Sequence, residues 1–143
     1  MTELFLIAHL AGRTVAIPTA QVQSVVDIGE VISVPGAEPA IRGLSALRSR
    51  VVTVIDTRVA LGLRSAPDAG RRAIITLVDG HHYAILVDAL DDVAPFARAP
   101  LSAGLSLTGG WHRTGVGLVE LDGEPVLIID LAALVPQPQS LAA

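Results

Sequence analysis

The chain alternates short apolar runs with small polar turns. Residues 4–10 (LFLIAHL) and 14–17 (TVAI) flank a turn around Gly12, which predicts a β-hairpin. Residues 73–78 (AIITLV) and 83–87 (YAILV) flank Asp-Gly-His-His, which predicts a second hairpin turning at Gly80. Two further runs, residues 50–56 (RVVTVID) and 116–130 (VGLVELDGEPVLIID), are the most β-rich of all, and the second holds its own Asp-Gly turn. Their lack of polar alternation predicts strands buried on both faces.

These patterns recur. Gly12 and Gly80 are 68 positions apart, and Asp56 and Asp130, each closing an apolar strand, are 74 apart. Recurrence in the same order at nearly the same spacing predicts a duplication. Each copy holds an opening hairpin, a more polar segment (residues 18–27 and 88–97), a Gly-rich connection and a closing hairpin that ends in Asp. In the first copy Pro18 suits a helix first turn, and Val22, Val25 and Val26 are spaced for one buried helical face, so a short helix is expected there. About ten short strands in two equal sets predict an all-β protein with a few short helices. Its two tandem five-stranded β-barrel subdomains pack together over a shared core, since each alone is marginal by surface-to-volume scaling. The expected boundaries are 1–64 and 73–136, with a polar Pro/Gly linker at 64–72 and a tail at 137–143, all within one domain spanning 1–143.

Composition narrows the function. Hydrophobic residues make up 51% and aromatics only 3%, so the core must be aliphatic. A formal charge of −4 argues against nucleic acid. No basic amphipathic run and no long apolar stretch point to direct membrane insertion. There is no cysteine, which excludes disulfides and thiolate chemistry and fits a cytoplasmic setting.

Candidate chemistry is sparse. Asp56 and Asp130 follow strands, where catalytic carboxylates do occur, but duplication favours a structural duty: accepting following backbone N–H groups at a turn. A hydrolase pairing one of these aspartates with a histidine is the enzymatic alternative. His81 and His82 are adjacent and so point to opposite faces of a strand, while His9 and His112 are isolated, so no metal site is expected. Residues 109–117 (GGWHRTGVG) lack the Lys-Ser/Thr of a phosphate loop and read as a flexible loop with Trp111 packed inward. No catalytic residue, cofactor or metal is assigned, and a binding module is the reading that remains.

Residues 41–63 (IRGLSALRSRVVTVIDTRVALGL) resemble the CheW family, the adaptors that couple chemoreceptors to the histidine kinase CheA, whose pattern there runs Gly-Val-x-Asn-Leu-Arg-Gly-x-Val. Residues 5–26, 34–43 (VPGAEPAIRG) and 73–93 are similar to the family's other segments in order, so the likeness covers nearly the whole chain. The resemblance implies two five-stranded barrels, no catalysis and no cofactor. It also implies binding to the CheA regulatory domain and to the cytoplasmic tip of a chemoreceptor, in arrays beneath the inner membrane. By the same resemblance Val22, Gly43 and Arg48 meet the receptor, in a groove between the subdomains. Three positions depart from the pattern. The family's Asn is Ala46, the Gly after the Arg is Ser49, where φ > 0 is less easily held, and a Glu that can pair with the Arg is Ser24. These mark a divergent member. A module of this kind serving another two-component pathway is the alternative partner assignment.

For Arg48 itself, the polar gap Arg48–Ser49–Arg50 between Leu47 and Val51 predicts a hairpin tip, with Leu47 and Val51 anchored in the barrel and Arg48 accessible to a partner.

Overall fold

A computed structural model describes residues 2–65, 70–101, 107 and 109–136. Ten strands are present: β1 (Glu3–Leu10), β2 (Arg13–Pro18), β3 (Ser24–Asp27), β4 (Ile41–Leu47), β5 (Arg50–Ile55), β6 (Arg72–Val78), β7 (His81–Leu86), β8 (Ala89–Phe96), β9 (Gly115–Leu121) and β10 (Glu124–Ile129). Two short helices, α1 (Thr57–Ala60) and α2 (Gly110–Thr114), and two 3-10 turns, Thr19–Gln21 and Leu131–Leu134, complete the described elements.

The strands form two five-stranded sheets, ordered β8-β1-β2-β10-β9 and β3-β6-β7-β5-β4. The two orders are the same once β1–β5 are matched to β6–β10. Both 68 and 74 reappear as spacings in the register. The parallel pairs Leu127↔Val15 and Thr53↔Tyr83 are related by them, as are the tip pairs Leu121↔Glu124 and Leu47↔Arg50. Even the irregularities coincide, since β4 is bulged between Ile41 and Gly43, and β9 steps from Gly115 to Gly117 at the matching place. The duplication is thus real at the level of strand order, register and bulge.

The expected halves, however, are not the sheets. Each sheet takes the opening hairpin of one repeat and the three later strands of the other. The boundaries 1–64 and 73–136 therefore divide the repeats but cut both sheets. Exchange pairs β1 with β8, β2 with β10, β3 with β6 and β5 with β7 across the repeats and welds the two marginal units together. Nor does either sheet close into a barrel: among the described residues no pairing joins β3 to β4 or β8 to β9, and the outer edges of β4 and β9 carry only the isolated bridges Ile32↔Leu44 and Ala99↔Leu118. Residues 66–69 of the expected linker and the tail 137–143 lie outside the described residues.

Period-two alternation sorts the apolar side chains into three cores. Leu6, Ala8, Leu10, Val15, Ile17, Leu127 and Ile129 meet Ile55, Ile74, Ile85 and Val87 between the sheets. Val52, Val54, Ala73, Ile75 and Ala84 form a second core on the opposite face of one sheet, and Phe5, Ile7, Ala16, Val126 and Ile128 a third on that of the other. Strands buried on both faces are what the unalternating runs predict.

Two local expectations fail. Residues 24–27 form β3, pairing with β6 through Val25↔Ile74 and Val26↔Ala73, so Val25 and Val26 point to opposite faces rather than sharing a helical one. Only Thr19–Gln21 makes a helical turn. Residues 110–114 are helix α2 rather than a loop. Gly110 donates to the Leu61 carbonyl at 3.1 Å, and a Cβ there would lie 2.5 Å from the Leu61 Cα, so the helix docks by close backbone approach. Trp111 is buried as expected, with the Arg13 guanidinium 4.6 Å from its ring centroid.

Candidate functional site

Asp56 and Asp130 occupy matching positions after β5 and β10. Asp56 N–H donates to Ala40 O (2.7 Å), Asp130 N–H to Thr114 O (2.9 Å), and each carboxylate caps the turn that follows, Asp56 from Val59 N (3.2 Å) and Asp130 from Ala132 N (3.1 Å). This is the expected backbone duty. Asp56 does more. It is buried, and its Oδ2 accepts from Arg42 Nη2 and from Ser65 Oγ, both at 2.6 Å. Burial is the largest single influence on its carboxyl and pushes the pKa up. The bonds from Ser65, Arg42 and Val59, with the Arg42 charge, together outweigh it and hold the pKa below its ordinary 3.8. The position matching Arg42 in the second repeat is Val116, and among the described residues Asp130 forms no ion pair. No histidine bonds either aspartate among the described residues: His9 pairs with Asp91 (2.9 Å), and His82 packs against Arg50. Also among the described residues, no group of three or more His, Asp or Glu side chains converges as a metal site would.

The chain's hairpin tips separate a second pair of matched sites. At Ala11–Gly12, Asp79–Gly80 and Asp122–Gly123 both central residues have positive φ, as type I′ turns demand. The β4–β5 tip differs: Arg48 has φ 58°, and Ser49 keeps a negative φ. The departure from glycine at Ser49 is therefore harmless to the backbone. The strained residue is Arg48, in a conformation that bulky side chains rarely hold.

Around this tip is a groove of about 310 Å³, bounded by β3 (Ser24, Val25, Val26), the β4–β5 tip (Leu47 to Arg50), Ile75 and His82. It occupies the gap between β3 and the β4–β5 tip of one sheet, and Ile75 and His82 give it walls from the second repeat as well as the first. A larger cavity of about 510 Å³ does lie at the junction of the repeats, between Val59–Ala60 and Ala133–Pro136, but none of the six candidate residues lines it.

Ser24, Arg48 and Ser49 share the first groove, and all three are exposed. Among the described residues Arg48 makes no side-chain hydrogen bond or ion pair, and the neighbouring Ser24 offers no carboxylate. Val22, Gly43 and Ala46 stand apart from it. Val22 is half-buried against the core between the sheets, and Ala46 faces solvent on β4. Gly43 is buried with φ 152°, and a Cβ there would lie 2.2 Å from Ile32 O, so its role in the fold is to let residue 32 bridge to Leu44. Leu47 packs inward as expected, but Val51 is 62% exposed: its pairing with Ala46 puts it on the outer face of the hairpin.

Sequence reasoning missed Arg42, the true partner of Asp56, and Arg50 and His82, which join Arg48 at the groove. The Arg42 pairing depends on the β4 bulge, which no local pattern announces. His82 reaches the groove through the parallel β5–β7 pairing, a contact between repeats.

Among the described residues, no helix is long and apolar enough to cross a membrane. Compared with known proteins, residues 4–139 match the CheW-like domain model. No curated protein matches. The fold is similar to the crystal structure of the scaffolding protein TtCheW from Thermoanaerobacter tengcongensis, with a TM-score of 0.81, 22% sequence identity and 99% of each chain covered. With a domain match over almost its full length, the same two-sheet architecture and the motif order read along its sequence, the chain belongs to the CheW-like domain family.

Proposed function

We propose that this protein is a non-enzymatic adaptor that couples chemoreceptors to the histidine kinase CheA at the cytoplasmic face of the inner membrane, with the groove beside Arg48 as a partner-binding surface. One observation carries the reading: a family member presents an arginine that is exposed, conformationally strained and without an internal partner, at the rim of a groove also lined by Ser24 and Ser49. Arginine is enriched among binding hot spots, and strain of this kind persists where the position is used. Both aspartates are engaged with backbone N–H groups, which supports a structural role for them and weighs against the hydrolase reading. Val22, Gly43 and Ala46 contribute through the shape of the surface around the groove.

The test is capture of the cognate CheA regulatory domain, and separately of a receptor-tip fragment, on the immobilised full chain. Retention of both supports the coupling role. Retention of neither, with a kinase of another two-component pathway retained instead, overturns it in favour of an interaction module outside chemotaxis.

A further inference from the structure

The duplicated fold contains its own control for the groove beside Arg48. The matching tip of the second repeat carries Asp122, Gly123 and Glu124 where the first carries Arg48, Ser49 and Arg50. The same backbone hairpin is thus built without cations, so the fold does not require the two arginines. Both line the groove, together with His82 and the hydroxyl-bearing Ser24 and Ser49. Its floor is apolar, from Leu47 and Ile75, which pack into the core on that face of the sheet. Among the described residues no carboxylate lines it. Asp27, at the end of β3, is tied to Arg72 at 2.8 Å, and Asp79, at the neighbouring β6–β7 tip, is not part of the lining. Arg50 Nη1 lies 3.1 Å from His82 Nδ1, so it meets the edge of an imidazole rather than an anion. Two guanidinium groups therefore line one cleft whose described walls hold no negative charge.

From this arrangement we infer that the groove is a binding site for a small phosphate monoester, a dianion with a compact apolar body. Charge selects the class first. A phosphate monoester carries about −1.5 to −2 charges near neutral pH and three strong acceptor oxygens, enough for both guanidinium groups and the serine hydroxyls, whereas a carboxylate brings a single charge. The planar guanidinium fork also matches pairs of phosphate oxygens. Size and lining select the rest. About 310 Å³ lies at the lower end for small-molecule sites, and an apolar floor beneath a few polar groups is their usual make-up. The same floor lowers the local dielectric and strengthens the ion pairs above it. On binding, Arg50 gives up His82 for the phosphate, which leaves the imidazole N–H free to donate as well. The inference uses the same groove as the functional reading but needs neither receptor nor kinase. Ligand and protein partner compete for Arg48.

The test is NMR titration of the full chain with phenyl phosphate, inorganic phosphate and benzoate, at constant ionic strength set with sodium chloride. Saturable shifts are expected at the amides of Ser24, Ser49 and Arg50 and at the His82 ring, and none at the Asp122–Glu124 tip. Phenyl phosphate should bind several-fold more tightly than inorganic phosphate, which lacks the apolar body, and than benzoate, which lacks the second charge. Arg48→Gln should weaken phenyl phosphate by about tenfold, the scale of one charge-assisted hydrogen bond. Ser24→Glu, which brings a carboxylate into the groove, should abolish binding while the amide spectrum elsewhere is unchanged. Absence of saturable shifts up to about 20 mM phenyl phosphate overturns the inference. So does binding that both variants leave intact, or equal affinity for phenyl phosphate and benzoate. Capture of a receptor-tip fragment by a chain that binds no phosphate would overturn it while leaving the functional reading intact. Saturable phosphate binding by a chain that captures neither receptor tip nor kinase would do the reverse.

Discussion

The two repeats agree where backbone is concerned and part where side chains face solvent. Strand order, register, bulge position and capping aspartate are matched between them, yet one closing hairpin turns through Arg48–Ser49 and the other through Asp122–Gly123. The aspartates differ in the same way: Asp56 is tied to Arg42 and Ser65, whereas Asp130 caps a 3-10 turn and has Val116 at the position that matches Arg42. What a duplicated fold must keep is its hydrogen-bond ladder and close backbone approaches. What it can vary is the chemistry at its ends. The first repeat has taken the more specialised side chains in both places, the buried Asp56 with its Arg42 partner and an arginine at positive φ.

The sharpest way to break the comparison is at its matched glycines. A Cβ at Gly43 would meet Ile32 O at 2.2 Å with φ at 152°, while one at Gly117 would meet Ala99 O at 3.0 Å with no positive φ. Gly43→Ala should cost about 3–5 kcal/mol, combining backbone strain with overpacking, and Gly117→Ala about 1–2 kcal/mol. Urea denaturation midpoints check both. Equal losses would mean that the two bulges carry the same load, contrary to the geometry.

The aspartates come next. Asp56→Ala removes a cap and strands a half-buried Arg42, for about 2–4 kcal/mol, whereas Asp130→Ala loses only a cap, for about 0.5–1 kcal/mol. Asp56→Asn should cost about 1–2 kcal/mol and leave partner binding intact in the folded protein, since its bonds are structural. The pH dependence has a definite sign. Because the folded protein holds the Asp56 pKa below 3.8, its stabilising contribution is full above that pH and is lost as pH falls through the depressed value. Arg42→Ala removes part of what opposes the burial effect, so the folded pKa moves back toward the ordinary value and the stabilising contribution that Asp56 loses in acid shrinks. Urea midpoints followed from about pH 6 to about pH 3 would show this as a shallower acid limb in the variant.

A smaller effect is expected at the tips, with opposite signs for stability and binding. Arg48→Gly relieves a positive φ and should stabilise the fold by up to about 1 kcal/mol while weakening partner capture. At Asp122, where the following Gly123 already shares the turn, the gain from glycine should be no larger. Thermal melts read both.

Much of this was legible in the sequence because it is carried by spacing. The offsets of 68 and 74, read from two glycines and two aspartates, are the offsets of the observed registers, and the capping role of the aspartates follows from their place after apolar strands. The exchange of strands between repeats was not legible, since a hydrophobic pattern says which face of a strand is buried and not which sheet buries it. For the same reason β3 read as a helix: Val22, Val25 and Val26 fit a helical face equally well, and only pairing with Ile74 and Ala73 decides. At the groove, Ser24, Arg48 and Ser49 lie together, while Val22 and Gly43, which the resemblance grouped with Arg48, stand apart, and Arg50 and His82 join through long-range pairing invisible to local pattern.

The central claim is that Arg48 meets a partner from the rim of its groove. Titration of Arg48→Ala and Arg50→Ala proteins against a receptor-tip fragment tests it most directly. The account predicts that Arg48→Ala weakens binding by about 1–3 kcal/mol, the usual hot-spot range, and that Arg50→Ala, on the same tip but resting on His82, costs clearly less. Equal and small losses in the two variants would contradict it, showing that the replacements at Ser24, Ala46 and Ser49 have taken this groove out of receptor binding.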